Sequence, residues 1–151
     1  MQTKEKDINI RFVSNHGILE SLGGHPVRTI TELRICEWLT AHGIDHQHAS
    51  EVLTVKSAAN GLAGLFVPDI MLTKKTKDRR TIIIEALHSF SPKRGGLKNL
   101  TAFRTQYRDQ FLTIVVGKKA TLDAVPKSIT GIKVELERLD MLGKRIARLM
   151  S

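Results

Sequence analysis

The sequence predicts a single α/β domain built on a mixed central sheet flanked by helices; its length, its apolar runs and its helical-period segments each point there. At 151 residues the chain suits one domain that buries ~68–70% of the surface its unfolded form exposes. Two runs, Thr81-Ile82-Ile83-Ile84 and Phe111-Leu112-Thr113-Ile114-Val115-Val116, carry apolar side chains at odd and even positions alike, which marks strands covered on both faces. Segments with helical periodicity precede, separate and follow them. The resulting order, helix, three strands, helix, strand (αβββαβ), is that of a sheet with helices packed against it.

Residues 1–27 are expected to form an arm or short strand. Ile8 to Val13 alternate apolar and polar, and Gly17, Gly23, Gly24 and Pro26 then interrupt any regular element. Thr29 or Thr31 is placed to cap a helix that runs to about His42, with Gly43 as its terminating glycine. Within it Glu32, Ile35, Cys36 and Leu39 fall at i, i+3, i+4 and i+7, which sets a carboxylate on an apolar stripe where glutamate is rarely buried without a partner. Ile44 to Val55 reads as a strand with polar interruptions, followed by the small, flexible KSAANGLAG. Leu65 to Leu72 and Thr81 to Leu87 read as two further strands, with KKTKDRR as a charged hairpin connection. After Pro92, Gly95 and Gly96, the spacing of Leu97, Leu100, Phe103 and Tyr107 predicts a helix to about Gln110, its aromatic residues in the core. FLTIVVG then predicts a central strand, Gly131 to Leu136 an edge strand, and Leu139 onward a last helix. Leu142, Ile146 and Leu149 line one side of that helix and Lys144, Arg145 and Arg148 the other. With no internal repeat or boundary, 28–151 is read as one domain.

The chain carries 24 Lys+Arg against 15 Asp+Glu, a formal charge of +9, which favours a polyanionic partner through counterion release. Cys36 is the only cysteine; an intramolecular disulfide and a cysteine-based zinc cluster are therefore not expected, and a reducing cytoplasm fits best. The opening MQTKEKDINIRF lacks an apolar signal region, and no apolar run approaches the ~18–20 residues that span a bilayer, so neither secretion nor membrane insertion is expected. Nucleophile-elbow, Walker and dinucleotide glycine patterns are all missing.

Hydrolysing a phosphodiester near neutral pH usually takes a divalent metal to bind the phosphate and lower the pKa of the attacking water, and hard Mg²⁺ or Mn²⁺ takes carboxylate oxygens. Pro68-Asp69 falls within the second predicted strand and Glu85 near the end of the third. Antiparallel pairing of those strands brings the two carboxylates side by side if the register allows. Glu85 directly follows a core strand, where a charge needs an ion pair or a metal to offset desolvation.

At these residues the chain resembles the PD-(D/E)xK nucleases, a family that includes archaeal Holliday-junction resolvases, many restriction enzymes and Vsr-like repair nucleases. The likeness spans roughly residues 28–117: a helix bearing Glu32, a strand with Pro-Asp (PDIML), a strand ending in glutamate (EALHS), then a helix leading to a buried strand. It implies a restriction-endonuclease-like sheet and Mg²⁺- or Mn²⁺-dependent endonuclease action on DNA, with branched or distorted DNA among the substrates it admits. The metal would be held by Asp69 and Glu85, with Glu32 and Lys98 completing the catalytic set. One position departs: Leu87 stands where the family usually has lysine, which leaves Lys98 or Arg104, and less well Lys93, to supply the positive charge. His88 is expected on the face opposite Glu85. The missing lysine also admits a catalytically inactive, DNA-binding or accessory subunit.

Lys93, Arg94 and Lys98, together with Arg104, are the expected DNA contacts, because SPKRGGLKN ends at a helix N-terminus suited to phosphate. The hairpin cations Lys74, Lys75, Lys77, Arg79 and Arg80 fit a solvated tip equally well. DNA and a second copy of the chain, forming a homodimer, are the expected partners; no membrane partner is expected.

Overall fold

Thr29 sets the start of the first helix. In the computed structural model, which describes residues 19–20, 26–27, 29–56, 63–87, 96–126 and 131–150, its extended backbone precedes α1 (Ile30–Ala41) and its hydroxyl accepts the N–H of Glu32 at 3.1 Å. At the other end Gly43 adopts φ +68°, a left-handed conformation that glycine takes without penalty. The predicted stripe is buried: Glu32, Ile35, Cys36 and Leu39 are all at most 4% exposed.

Before α1 lies a minimal hairpin of β1 (Leu19–Glu20) and β2 (Pro26–Val27); the expected strand at Ile8 to Val13 lies outside the described residues. After α1 come β3 (His46–His48), β4 (Leu53–Lys56), β5 (Ala63–Phe66), β6 (Ile70–Lys75), β7 (Thr81–Leu87), α2 (Gly96–Gln106), β8 (Phe111–Gly117), α3 (Lys119–Asp123), β9 (Ile132–Glu135), a 3-10 turn at Leu136–Arg138 and α4 (Leu139–Met150).

The main sheet has five strands in the order β3-β6-β7-β8-β9. β3, β6 and β7 pair antiparallel, whereas β7, β8 and β9 run parallel, each parallel step crossing over through a helix. The protein is thus a mixed α/β fold with helices against a mixed sheet. Strand alternation divides the core: Ile82, Ile84, Ile114 and Val116 face α1 and α4, where they meet Ile35, Leu39, Leu142 and Ile146. Ile83 and Val115 face α2 and meet Leu100 and Phe103. This two-sided coverage explains why the β7 and β8 runs carry no polar face, and each fully buried isoleucine contributes about 1.5–3 kcal/mol. On the α1/α4 face Gly143 lets the Trp38 ring approach so closely that a Cβ there would lie 2.6 Å from it.

Several sequence expectations require correction. Ile44 to Val55 is two strands, because Ala49 turns the chain with φ +46° and sends β4 out of the main sheet. Leu65 to Leu72 is likewise divided, β5 pairing with β4 and β6 with β3 and β7. Pro68, without an N–H to donate, sits in the break, and Asp69 therefore precedes β6 rather than lying inside a strand. The β4–β5 hairpin is fastened to α2 and the residue after it by side chains: Tyr107 donates to the Thr54 carbonyl at 2.8 Å, Gln106 to the Lys56 carbonyl at 2.6 Å, and Asn99 to the Leu65 carbonyl at 3.1 Å. α2 stops at Gln106, short of the expected Gln110. The edge strand and last helix fall where the sequence places them, whereas the short α3 was not anticipated. Among the described residues no helix is long and apolar enough to cross a membrane.

Candidate functional site

Where β6 begins beside the end of β7, two carboxylates take over the backbone pairing. Ile70 pairs with Ile84, and one step beyond that pair the ladder bonds are replaced by side-chain bonds. Asp69 Oδ2 accepts the N–H of Ala86 at 2.9 Å, and Glu85 Oε2 accepts the N–H of Asp69 at 2.7 Å. Each carboxylate is therefore fixed against the other's strand end, and both groups are half-buried. Such bonds to a charged acceptor contribute about 1.5–3 kcal/mol. By alternation Glu85 shares the α2-facing side with Ile83, whereas Ile84 faces α1. The sequence-predicted juxtaposition of Asp69 and Glu85 is present in the fold, and a second link, the Ala49 N–H to the Asp69 carbonyl at 3.2 Å, ties the chain after β3 to the same point. The donor set is hard oxygen, and a carboxylate accepts in about four directions, so the N–H bonds and a cation such as Mg²⁺ are compatible on the same groups.

Glu32 lies on the α1 side of β3. Its Oε2 accepts from His48 Nδ1 at 2.7 Å, with the two side chains 5% and 2% exposed. His46 and His48 pair with Leu72 and Ile70, residues of the α1-side core, so both imidazoles turn toward the helix. There His46 Nε2 lies 3.3 Å and His48 Nε2 3.2 Å from Cys36 Sγ. His46 Nδ1 is 2.8 Å from the Ile44 carbonyl oxygen. Burial pulls the His48 imidazolium toward a lower pKa, but the bonds to Cys36 and Glu32 outweigh it and carry the value up to about 9. Cys36, His48 and Glu32 have the order of a nucleophile, a base and an orienting carboxylate. Cys36 is 0% exposed, however, and a nucleophile without surface cannot meet a substrate.

The remaining expected residues that the structure describes do not join this pair. Leu87, in place of the lysine, packs against the apolar cluster under α2. Lys98 falls in the first turn of α2, but its side chain, like Lys93, Arg94 and His88, lies outside what the structure describes. Arg104 is directed to the loop entering β9, where its guanidinium lies against Gly131, and burial lowers its pKa. The hairpin cations sit at the far end of β6 and β7, about 17 Å along the strands from Asp69 at ~3.4 Å per residue. That tip touches the last helix through the Lys77 N–H and the Leu149 carbonyl, 3.2 Å apart. At about 17 Å from Asp69, these cations cannot share one bound phosphate with the carboxylates.

The histidines escaped the sequence reading. The signal was present: His46 and His48 alternate on a strand, and Cys36 lies on the buried stripe of the preceding helix. Comparison with protein-family models, curated proteins and solved structures returned no match for this chain.

Proposed function

We propose that this protein is a restriction-endonuclease-like enzyme of the PD-(D/E)xK kind, which hydrolyses DNA phosphodiester bonds with a divalent cation at Asp69 and Glu85. The reciprocal bonding of these two carboxylates to the Asp69 and Ala86 N–H groups carries this reading, because it holds two hard anionic donors in fixed relation at a strand end. The order of α1, β3, β6, β7, α2 and β8 and the change from antiparallel to parallel pairing at β7 support it. Bound Mg²⁺ or Mn²⁺ supplies charge neutralisation at the phosphate and a more acidic water. Asp69 and Glu85 bind and orient that charge, and Lys98 is the basic residue assigned to the neighbouring phosphate. Excess positive charge across the chain supplies DNA affinity that falls with salt.

Purified protein incubated with duplex, mismatched and four-way DNA in Mg²⁺ or Mn²⁺ tests the proposal. Cleavage that requires metal and disappears in Asp69→Ala and Glu85→Ala supports it; cleavage unchanged by both substitutions overturns it. A second reading, a nuclease-fold subunit that binds DNA without cutting, is favoured by one observation, the apolar packing of Leu87 at the lysine position. Salt-sensitive binding with no cleavage of any substrate selects it.

A further inference from the structure

We infer that Cys36, His46 and His48 form a transition-metal site, with zinc as the cation its donors suit, and that Glu32 acts as the residue positioning one of its ligands. The three donor atoms lie within 4.8 Å of one another and come from two elements, α1 and the edge strand β3. Their orientation is set by what stands behind them. His46 Nδ1 faces the Ile44 carbonyl and His48 Nδ1 faces the Glu32 carboxylate, groups that accept hydrogen bonds. Each Nδ1 therefore carries a hydrogen, and each Nε2 is turned inward at Cys36 Sγ. A histidine whose outer nitrogen is held by a carbonyl or carboxylate is the usual arrangement behind a metal-bound imidazole.

Two of the three donor separations agree. Zn–S of about 2.3 Å and Zn–N of about 2.0 Å at a tetrahedral angle require S···N separations of about 3.5 Å, and the two here are 3.3 and 3.2 Å. Thiolate with two imidazoles is a borderline-soft set that selects zinc over Mg²⁺, so the site is chemically distinct from the carboxylate pair. Three protein donors leave a fourth position to water.

Burial indicates what the metal does. Cys36 and His46 are 0% and 8% exposed, which leaves no approach for a large substrate and assigns the cation a structural part. β3 has only three residues at the sheet edge, and a metal clip fastens it to α1. The residue following it, Ala49, donates to the Asp69 carbonyl, so the clip also steadies the backbone that presents Asp69. The site stands whether or not the protein cleaves DNA.

Titrating the full-length, metal-free protein with Co²⁺ reads the site directly. One equivalent of cobalt should produce a thiolate-to-cobalt charge-transfer band together with tetrahedral ligand-field bands, and Zn²⁺ should bleach both. Cys36→Ser should abolish the charge-transfer band, His46→Ala should weaken binding, and Glu32→Gln should keep the band while weakening Zn²⁺ binding by about 10–100-fold. Asp69→Ala should leave the spectrum unchanged. Cobalt that binds without a thiolate band, or fails to bind the wild-type protein, overturns the inference. Because the wild-type spectrum alone decides this, the result stands even if Cys36→Ser does not fold.

Discussion

Replacing Glu32 by alanine removes the acceptor of a buried, charge-assisted hydrogen bond and leaves His48 facing a cavity. The two side chains are 5% and 2% exposed and 2.7 Å apart, so solvent cannot compensate. Breaking one side of a buried pair costs about 3–5 kcal/mol. In a domain of this size each kcal/mol lowers Tm by about 2–4 °C, which predicts a fall of roughly 6–20 °C by those two ranges. Glu32→Gln retains an acceptor and the volume, and should lose about 1–2 kcal/mol, the scale of an ordinary hydrogen bond. Denaturant unfolding in the presence of chelator keeps metal out of the comparison. In a double-mutant cycle with His48→Ala the two losses should be strongly sub-additive, with coupling of about 0.5–3 kcal/mol. A Glu32→Ala protein within about 1 kcal/mol of wild type, a typical effect of an unremarkable substitution, or strictly additive losses would refute the buried-pair argument.

Phe103 is 0% exposed and stacks on Phe66 at 4.4 Å, so Phe103→Ala should cost about 3–5 kcal/mol by urea unfolding; a loss near zero would show that α2 is not anchored through this ring. Gly117 lies where an added Cβ would meet the Leu87 carbonyl oxygen at 2.7 Å. Gly117→Ala should therefore push β8 from β7 and cost about 1–3 kcal/mol, measured the same way, with no change arguing against that close approach. The Thr76 hydroxyl donates to Asp78 Oδ1, and with Arg80 it holds the Asp78 carboxyl below its usual 3.8. A depressed folded-state value stabilises above the unfolded value and is lost as pH falls through the folded one. The small advantage of wild type over Asp78→Asn should accordingly narrow below about pH 4, and an advantage that persists in acid would contradict the assignment.

The parts of the fold legible in the sequence are those where one force dominates. β7 and β8 announce themselves because strands covered on both faces are apolar at most positions, and α1 because Thr29, the 32-35-36-39 stripe and Gly43 agree on one element. Local signals failed where tertiary partners decide. The excursion of β4 and β5 depends on the positive φ of Ala49, on Pro68, and on side chains of α2 and the residue after it, more than thirty positions away. Asp69 and Glu85 were readable as a pair because one hairpin joins their strands, although the register that places them was not. The clustering of Cys36 with His46 and His48 was obscured by counting cysteines alone: a single thiol excludes a cluster of cysteines but not a mixed set completed by two histidines on the adjoining strand.

Mn²⁺ binding followed by electron paramagnetic resonance addresses the carboxylate pair most directly, since it needs neither the right DNA nor an intact catalytic lysine. Wild-type protein should bind the ion, and Asp69→Ala and Glu85→Ala should each weaken binding by roughly tenfold or more, about 1.4 kcal/mol. Equal Mn²⁺ affinity in wild type and both carboxylate variants would contradict the account and reduce the Asp69–Glu85 exchange to a way of ending two strands.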